Sequence, residues 1–345
     1  MAMTTCQELL PGLIDEVAYL CLLRVPLAYH GHMRKVCRRW NQILNARQFY
    51  NDRILRQLEQ EWIYALVRDN KLKNSWWAFD PHFKLWLKLP PMPDSRQSHA
   101  VGQECRSLCG KLIVCGGWHE TPLDDVTIFD PKTNCWTSAT PMLSPRAHFV
   151  SGEMKHQLYV AGGSDGWQPR SQTAECYDPF ENNWRPMPVA ETGISFCLGI
   201  TLDDKLFVKA RGGSPKQTQM FWPELNLWSS LETRMLDEPT SLHAVLDGKL
   251  YRLDVLNHGY IMKLYEMETD TWKSLSYFRH FFVGQQSIQD VVACSGKLWA
   301  VGSDFGVVVI EVHNTQATAY VSLERGSALM SPSCEKIVKC LVMRA

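Results

Sequence analysis

Hydrophobic residues follow two different periods along this chain, and the change comes near residue 61. Beyond it, short apolar runs such as Leu112-Ile113-Val114, Leu158-Tyr159-Val160, Leu206-Phe207-Val208, Leu250-Tyr251 and Leu298-Trp299 are separated by clusters of Gly, Pro, Asn and Asp. Short runs bounded by turn residues predict β-strands. Ahead of residue 61 the apolar positions recur at steps of three and four: Leu13, Val17 and Leu20, then Met33, Val36, Trp40, Ile43 and Leu44. That step belongs to amphipathic helices, here punctuated by Pro26 and Gly31. The pattern predicts a helical head followed by an all-β body.

The body repeats itself. An aromatic residue, an acid or its substitute, and a tryptophan six residues after the acid recur as Phe79-Asp80-Pro81 with Trp86, Phe129-Asp130-Pro131 with Trp136, Tyr177-Asp178-Pro179 with Trp184, Phe221-Trp222-Pro223 with Trp228, and Tyr265-Glu266 with Trp272. The tryptophans are 50, 48, 44 and 44 residues apart. Upstream of the phrase lies a short strand, closed in three copies by Gly116-Gly117, Gly162-Gly163 and Gly212-Gly213. A sixth, decayed copy runs through Val307 to Glu311, with Ala317 in the tryptophan's place. Units of this length suit a four-stranded blade, and six of them suit a β-propeller. The first copy has only three strands, Trp62 to Val67, Trp76 to Asp80 and Leu85 to Leu89. The run 336–342 after the last copy alternates as a strand does, and it is expected to supply the fourth, which removes an open sheet edge. The predicted organisation is a tail over 1–8, a helical domain over 9–47, a linking helix over 48–60 and a mainly β, six-bladed propeller over 61–345.

Composition narrows the class of function. Lys+Arg and Asp+Glu stand at 36 each, which argues against a protein that tracks nucleic-acid phosphates. The start of the chain lacks the pattern of a secretory signal, and no apolar run is long enough to span a membrane, so a soluble intracellular protein of the cytoplasm or nucleus is expected. Twelve cysteines scattered over 345 residues then read as reduced thiols. Cys105 and Cys109 lack the spacing of a zinc site, and neither a metal nor another cofactor is expected. The basic phrase Arg34-Lys35 with Arg38-Arg39 reads as a solvated helix face rather than a nuclear signal. Nucleophile-elbow, phosphate-loop and zinc-protease motifs are all missing from the chain.

The double glycine, the aromatic-acid-proline turn and the tryptophan at fixed offset resemble the kelch repeat, from Trp62 to the C-terminus. The head resembles an F-box in Leu10-Pro11-Gly12-Leu13-Ile14-Asp15-Glu16-Val17, in Cys21-Leu22-Leu23-Arg24-Val25-Pro26, and most specifically in Val36-Cys37-Arg38-Arg39-Trp40. Ile14 departs from the motif, which usually has proline there. F-box followed by kelch repeats is a combination familiar from plants. The resemblance implies a substrate-recruiting subunit of a Skp–cullin–F-box ubiquitin ligase, itself without catalysis. Its head would bind a Skp-type adaptor, and through it a cullin, by way of Leu10, Pro11, Leu13, Ile14, Val17, Leu20, Leu23, Val36, Cys37 and Trp40. A kelch scaffold unconnected to ubiquitin and a propeller enzyme are the rival readings.

The repeat also implies where a protein target would sit. In kelch propellers that bind proteins, the loops between second and third strands and the connections between blades share one face. Here these carry Trp118, His119, Trp167, Arg170 and Lys216, and Arg96, Arg146 and Arg234 respectively; Arg146 after Ser144-Pro145, and with it Arg96, also reads as the arginine that this repeat often carries before its first strand. Exposed tryptophan and arginine are typical binding anchors, and loops on a rigid scaffold carry recognition. The repeat tryptophans, by contrast, are expected to pack between blades.

Overall fold

The structure, a computed structural model, describes residues 8–93, 96–164, 173–188, 197–210, 217–238, 241–279, 288–313, 316–323 and 336–344. Four helices come first: α1 (Asp15–Leu23), α2 (His30–Met33), α3 (Arg38–Asn45) and α4 (Arg47–Leu55). The periodic stretch 33–44 is not one helix. Cys37 is extended (φ −159°, ψ 166°), and its Sγ accepts from the backbone N–H of Trp40, so α3 starts only at Arg38. The second half of the expected linking helix is likewise absent, because α4 ends at Leu55.

Six four-stranded antiparallel sheets follow. Blade one has β1 (Glu61–Arg68), β2 (Asn74–Asp80) and β3 (Leu85–Lys88). Blade two has β4 (Glu104–Leu108), β5 (Lys111–Cys115), β8 (Val126–Asp130) and β9 (Cys135–Ser138), with a small ribbon of β6 (Trp118–His119) and β7 (Thr121–Pro122) in its second loop. Blade three comprises β10 (Val150–Met154), β11 (Gln157–Ala161), β12 (Ala174–Asp178) and β13 (Asn183–Pro186); blade four comprises β14 (Cys197–Leu202), β15 (Lys205–Ala210), β16 (Gln217–Trp222) and β17 (Leu227–Glu232). Blade five is made of β18 (Leu242–Leu246), β19 (Lys249–Leu256), β20 (Gly259–Glu266) and β21 (Thr271–Arg279), and blade six of β22 (Ile288–Cys294), β23 (Lys297–Gly302), β24 (Val307–His313) and β25 (Gln316–Leu323). The last strand, β26 (Lys336–Arg344), pairs with β1 from Glu61↔Arg344 to Arg68↔Lys336, so blade one joins the two ends of the propeller chain.

The repeated phrase has a clear physical meaning. Its aromatic and its tryptophan are directly opposed across the third and fourth strands, as in Phe79↔Trp86, Phe129↔Trp136 and Tyr177↔Trp184. Their rings lie 5.0 to 5.2 Å apart in five blades. The acid builds the turn: Asp80 Oδ1 accepts from the N–H groups of His82 and Phe83, and Asp178 Oδ1 from those of Phe180 and Glu181. Two residues before each tryptophan the backbone has positive φ, at Lys84, Asn134, Asn182, Asn226 and Asp270. Asn and Asp tolerate this conformation best. Each indole N–H then leaves its own blade. Trp136, Trp184, Trp228 and Trp272 donate at 2.9 Å to the carbonyls of Pro90, Thr140, Pro188 and Arg234, on the chain leaving the preceding blade. Trp86 donates to Phe305 in blade six. Burial differs among them: Trp184 is 3% exposed, whereas Trp136 and Trp272 are half-buried.

Apolar packing is organised by interface rather than by one centre. Each of six clusters joins two neighbouring blades, and a seventh lies within the head. β1 shows why: Ile63, Ala65 and Val67 face blade six, and Trp62, Tyr64 and Leu66 face blade two. Both faces of a blade are therefore buried, which explains the unbroken apolar runs. At the double glycines, Gly116 (φ 62°) and Gly163 (φ 95°) lie so close to the carbonyls of Arg146 and Ala147 that a Cβ would come within 2.5 and 2.7 Å. The head is seated on blade two, where Tyr50 Oη donates to the Lys132 carbonyl at 3.0 Å and Arg34 Nη2 donates to the same oxygen.

Candidate binding surfaces

The first candidate surface is on the head. Ala18, Leu22 and Leu23 of α1 are buried among Leu27, Leu44, Phe49 and Tyr50. Ile14, Val17 and Cys21, at steps of three and four on the other side, face solvent, with Ile14 68% exposed. Pro11 and Leu13 extend this side ahead of the helix, and Val36, 60% exposed, lies ahead of α3. An ion pair between Arg39 and Asp15 brings the starts of α1 and α3 together. Leu10, Leu20, Cys37 and Trp40 are half-buried beneath this surface, and the Trp40 indole N–H donates to the Leu9 carbonyl at 2.8 Å. Leu23 does not belong to it: at 0% exposed it is part of the head's core. Cys21, in turn, escaped the sequence reading although it stands four residues after Val17. Ile14, where the motif usually has proline, has φ −63°, the value that proline would impose.

Beneath that surface, two buried polar groups hold the helices together. Arg53 donates to the carbonyls of Leu23, Val25 and Leu58, tying α4 to the end of α1. His30 is fully buried, with Nε2 beside the Val25 carbonyl at 2.9 Å, and burial pushes its pKa down to about 3. The imidazole is therefore neutral in the fold. An unfolded chain takes up that proton below about pH 6.5, so this stabilisation is complete above 6.5 and is lost as pH falls toward 3. At pH 5 the loss expected from His30 alone is about 2 kcal/mol. Melts at pH 7.5 and 5.0 should show it, with a smaller difference in His30→Gln. An equal pH response in the two proteins would remove His30 as its source.

The second candidate surface is on the propeller. The 3₁₀ turn Arg96–His99 lies against the ribbon of β6 and β7, where Val101 bridges to Trp118 and the His99 and His119 rings are 5.9 Å apart. Arg96, Trp118 and His119 thus come together, joined by His99, which the sequence reading missed although it lies three residues from Arg96. Trp118 is 36% exposed, and Arg96 is an exposed partner of Asp125 at 3.3 Å.

Arg146 has a different place from the one expected. It is 1% exposed, pairs with the equally buried Glu175, and donates to the carbonyls of Gly162 and Thr173 at 3.0 and 3.1 Å. Its two Nη groups are used in fastening the connection between blades to β11 and β12. In blade two the equivalent place is filled by Gln97, whose Nε2 donates to Val114 and Asp125 carbonyls while Oε1 accepts from Thr127. Arg234 is exposed but anchored elsewhere: its N–H donates to Asp270 Oδ1 and its carbonyl accepts from Trp272, at the outer turn of blade five. Trp167, Arg170 and Lys216 lie outside the described residues.

Along the propeller axis, first strands carry a mixed charge cluster. Lys339 on β26 contacts Glu104 of blade two at 2.6 Å, and Glu104 also accepts from Ser151 of blade three at 2.7 Å. Arg106 donates to the Ser151 carbonyl, and Asp290 of blade six accepts from the Cys340 N–H at 2.7 Å. Burial opposes ionisation of Glu104, but Lys339 and Arg106 outweigh it and hold the carboxyl below its usual range. Asp290 is raised, because burial there exceeds what its hydrogen bonds offset. These polar groups fasten the closing strand to both neighbouring blades. No helix among the described residues is long and apolar enough to cross a membrane.

Comparison with known proteins agrees with the architecture of a helical head and a propeller. The F-box domain profile matches residues 10–52, and the kelch motif profile matches 100–143 and 145–188. The F-box/kelch-repeat protein At1g22040 of Arabidopsis thaliana is 29% identical over 343 residues, covering 78% of this chain and 71% of the relative. SKIP30, another F-box/kelch-repeat protein of that plant, is 27% identical and covers 87% and 86% of the two chains. The Arabidopsis F-box protein AFR is 31% identical over about half of each chain. Among solved structures, YjhT has a TM-score of 0.54 at 14% identity, covering 71% of this chain and 91% of that one, a likeness of fold.

Proposed function

From the premise that this chain is an F-box/kelch-repeat protein, we propose that it is the substrate-recognition subunit of a Skp–cullin–F-box ubiquitin ligase. On this reading the head holds a Skp-type adaptor, and through it a cullin, while the propeller holds the protein to be modified. The chain itself is non-catalytic.

The observation that carries the reading is the apolar side of the head left in water: Leu13, Ile14, Val17 and Val36 are 40%, 68%, 40% and 60% exposed. Apolar side chains spaced along one side of a helix suit insertion against a partner's groove. Trp40 and Cys37 support that surface from below, and the head's core is otherwise complete. On the propeller, the cluster of Arg96, Trp118 and His119 is the proposed start of the target surface.

Val17→Glu combined with Val36→Glu should abolish co-elution with a Skp-type adaptor, weakening binding by roughly 30-fold or more. Since both positions are exposed, the melting curve should stay within about 0.5 kcal/mol of the parent. Retained co-elution would refute this assignment of the surface. Trp40→Ala is the poorer test, because losing the bond to Leu9 would damage the head itself.

A further inference from the structure

Head and propeller enclose a cavity of about 230 Å³ between them. Trp62, Tyr64, Leu87 and Phe129 line it from blades one and two, and Leu27 and Tyr29 from the head. Its walls are held in place independently of any occupant. Tyr50 and Arg34 fasten the head to the Lys132 carbonyl, and the Lys132 ammonium lies 5.2 Å from the centre of the Tyr50 ring.

Two polar features distinguish this cavity from a packing void. Tyr64 is 4% exposed, and its hydroxyl has no hydrogen-bonding partner among the described residues. Burial alone raises its pKa, with no hydrogen bond contributing. A hydroxyl with no protein partner beside the cavity can bond a polar group of an occupant in place of water. The second feature is charge. Lys35 lines the head side and Lys88 the propeller side, both exposed, and no carboxylate is among the lining residues. The neighbouring Asp130 is engaged by Lys111 at 3.4 Å and by the Lys132 N–H at 2.8 Å. Aromatic walls with an unpaired donor and a cationic rim match an amphipathic anion. The volume lies below the roughly 300–1,000 Å³ of drug-sized sites, which limits the occupant to one or two rings.

We propose that this cavity is a binding site for a small aromatic carboxylate, with its ring against Trp62 and Phe129 and with Tyr64 and Lys35 as its polar anchors. A ligand there touches both domains, so it strengthens the seating of the head on the propeller.

The test uses the full chain with naphthalene-2-carboxylate as probe and naphthalene-2-methanol as its neutral counterpart, followed by calorimetry and by thermal melting. The expected result is one carboxylate bound per chain, a raised melting temperature, and weaker binding of the alcohol. Lys35→Ala should weaken the carboxylate about 5-fold or more, as for loss of a charge-assisted contact, and leave the alcohol unchanged. Tyr64→Phe should weaken both. Because Lys35 is exposed, its substitution keeps the fold, and it decides the matter if Tyr64→Phe is unstable. Absence of saturable binding up to about 1 mM, or binding indifferent to Lys35→Ala, overturns the proposal.

Discussion

Ending the chain at residue 335 should leave the propeller unable to fold. The lost strand β26 carries Ile337, Cys340, Leu341 and Met343, which are 1%, 5%, 7% and 0% exposed. Full burial of a large apolar side chain is worth about 1.5–3 kcal/mol, so the larger three alone approach the roughly 5–15 kcal/mol by which a domain is stable. The truncation would also bare the ladder edge of β1 from Glu61 to Arg68, and unpaired edges invite aggregation. Glu104 would lose Lys339, and Asp290 would lose the Cys340 N–H. Soluble yield and cooperative melting should both collapse. A truncated protein that melts like the parent would mean that the ring does not depend on this strand for closure.

Arg146→Ala should be the most damaging single substitution among the predicted target-binding arginines. It removes the charge that faces Glu175 where both side chains are 3% exposed or less, and breaking a buried pair this way costs about 3–5 kcal/mol. Glu175 would keep its bonds from the Leu143 and Ser144 N–H groups, which lessens the cost without neutralising the charge. Arg96→Ala is the natural control. Its partner Asp125 is accessible to water, and exposed pairs contribute 0–1 kcal/mol. The neighbouring blade suggests a rescue: Arg146→Gln with Glu175→Thr copies the neutral Gln97 and Thr127 arrangement and should recover much of the stability. Chemical denaturation of the four proteins would decide it. If Arg146→Ala unfolds at the parent's midpoint, the pair contributes nothing to stability.

These two residues show how far a repeat can be read. Arg96 and Arg146 both lie between blades in sequence, and composition alone makes both candidates for a binding face. Their fates differ because Gln97 occupies the buried place in blade two and leaves Arg96 outside, whereas Arg146 occupies it in blade three. Nothing in the local spacing of charges encodes which side chain a connection turns inward. Arg234 shows the same limit, since its backbone is held by Asp270 and Trp272, residues 36 and 38 positions away. In the head, the F-box resemblance set Leu23 beside Val17, but Leu23 faces the core, whereas Val17 and the unmarked Cys21 face water.

What the amino-acid order determined by itself is the repeating unit and its number. The aromatic, the acid and the tryptophan act within one hairpin, through a direct cross-strand pair and a turn closed by a carboxylate, so their spacing is visible wherever they recur. The helical period of the head is equally local. Tertiary structure alone decided which polar groups are consumed inside the ring, which remain on its surface, and that Tyr64 lines a cavity shared by two domains. Those outcomes depend on contacts between segments far apart in the chain, whose burial and charge are set only when the blades and the head pack together.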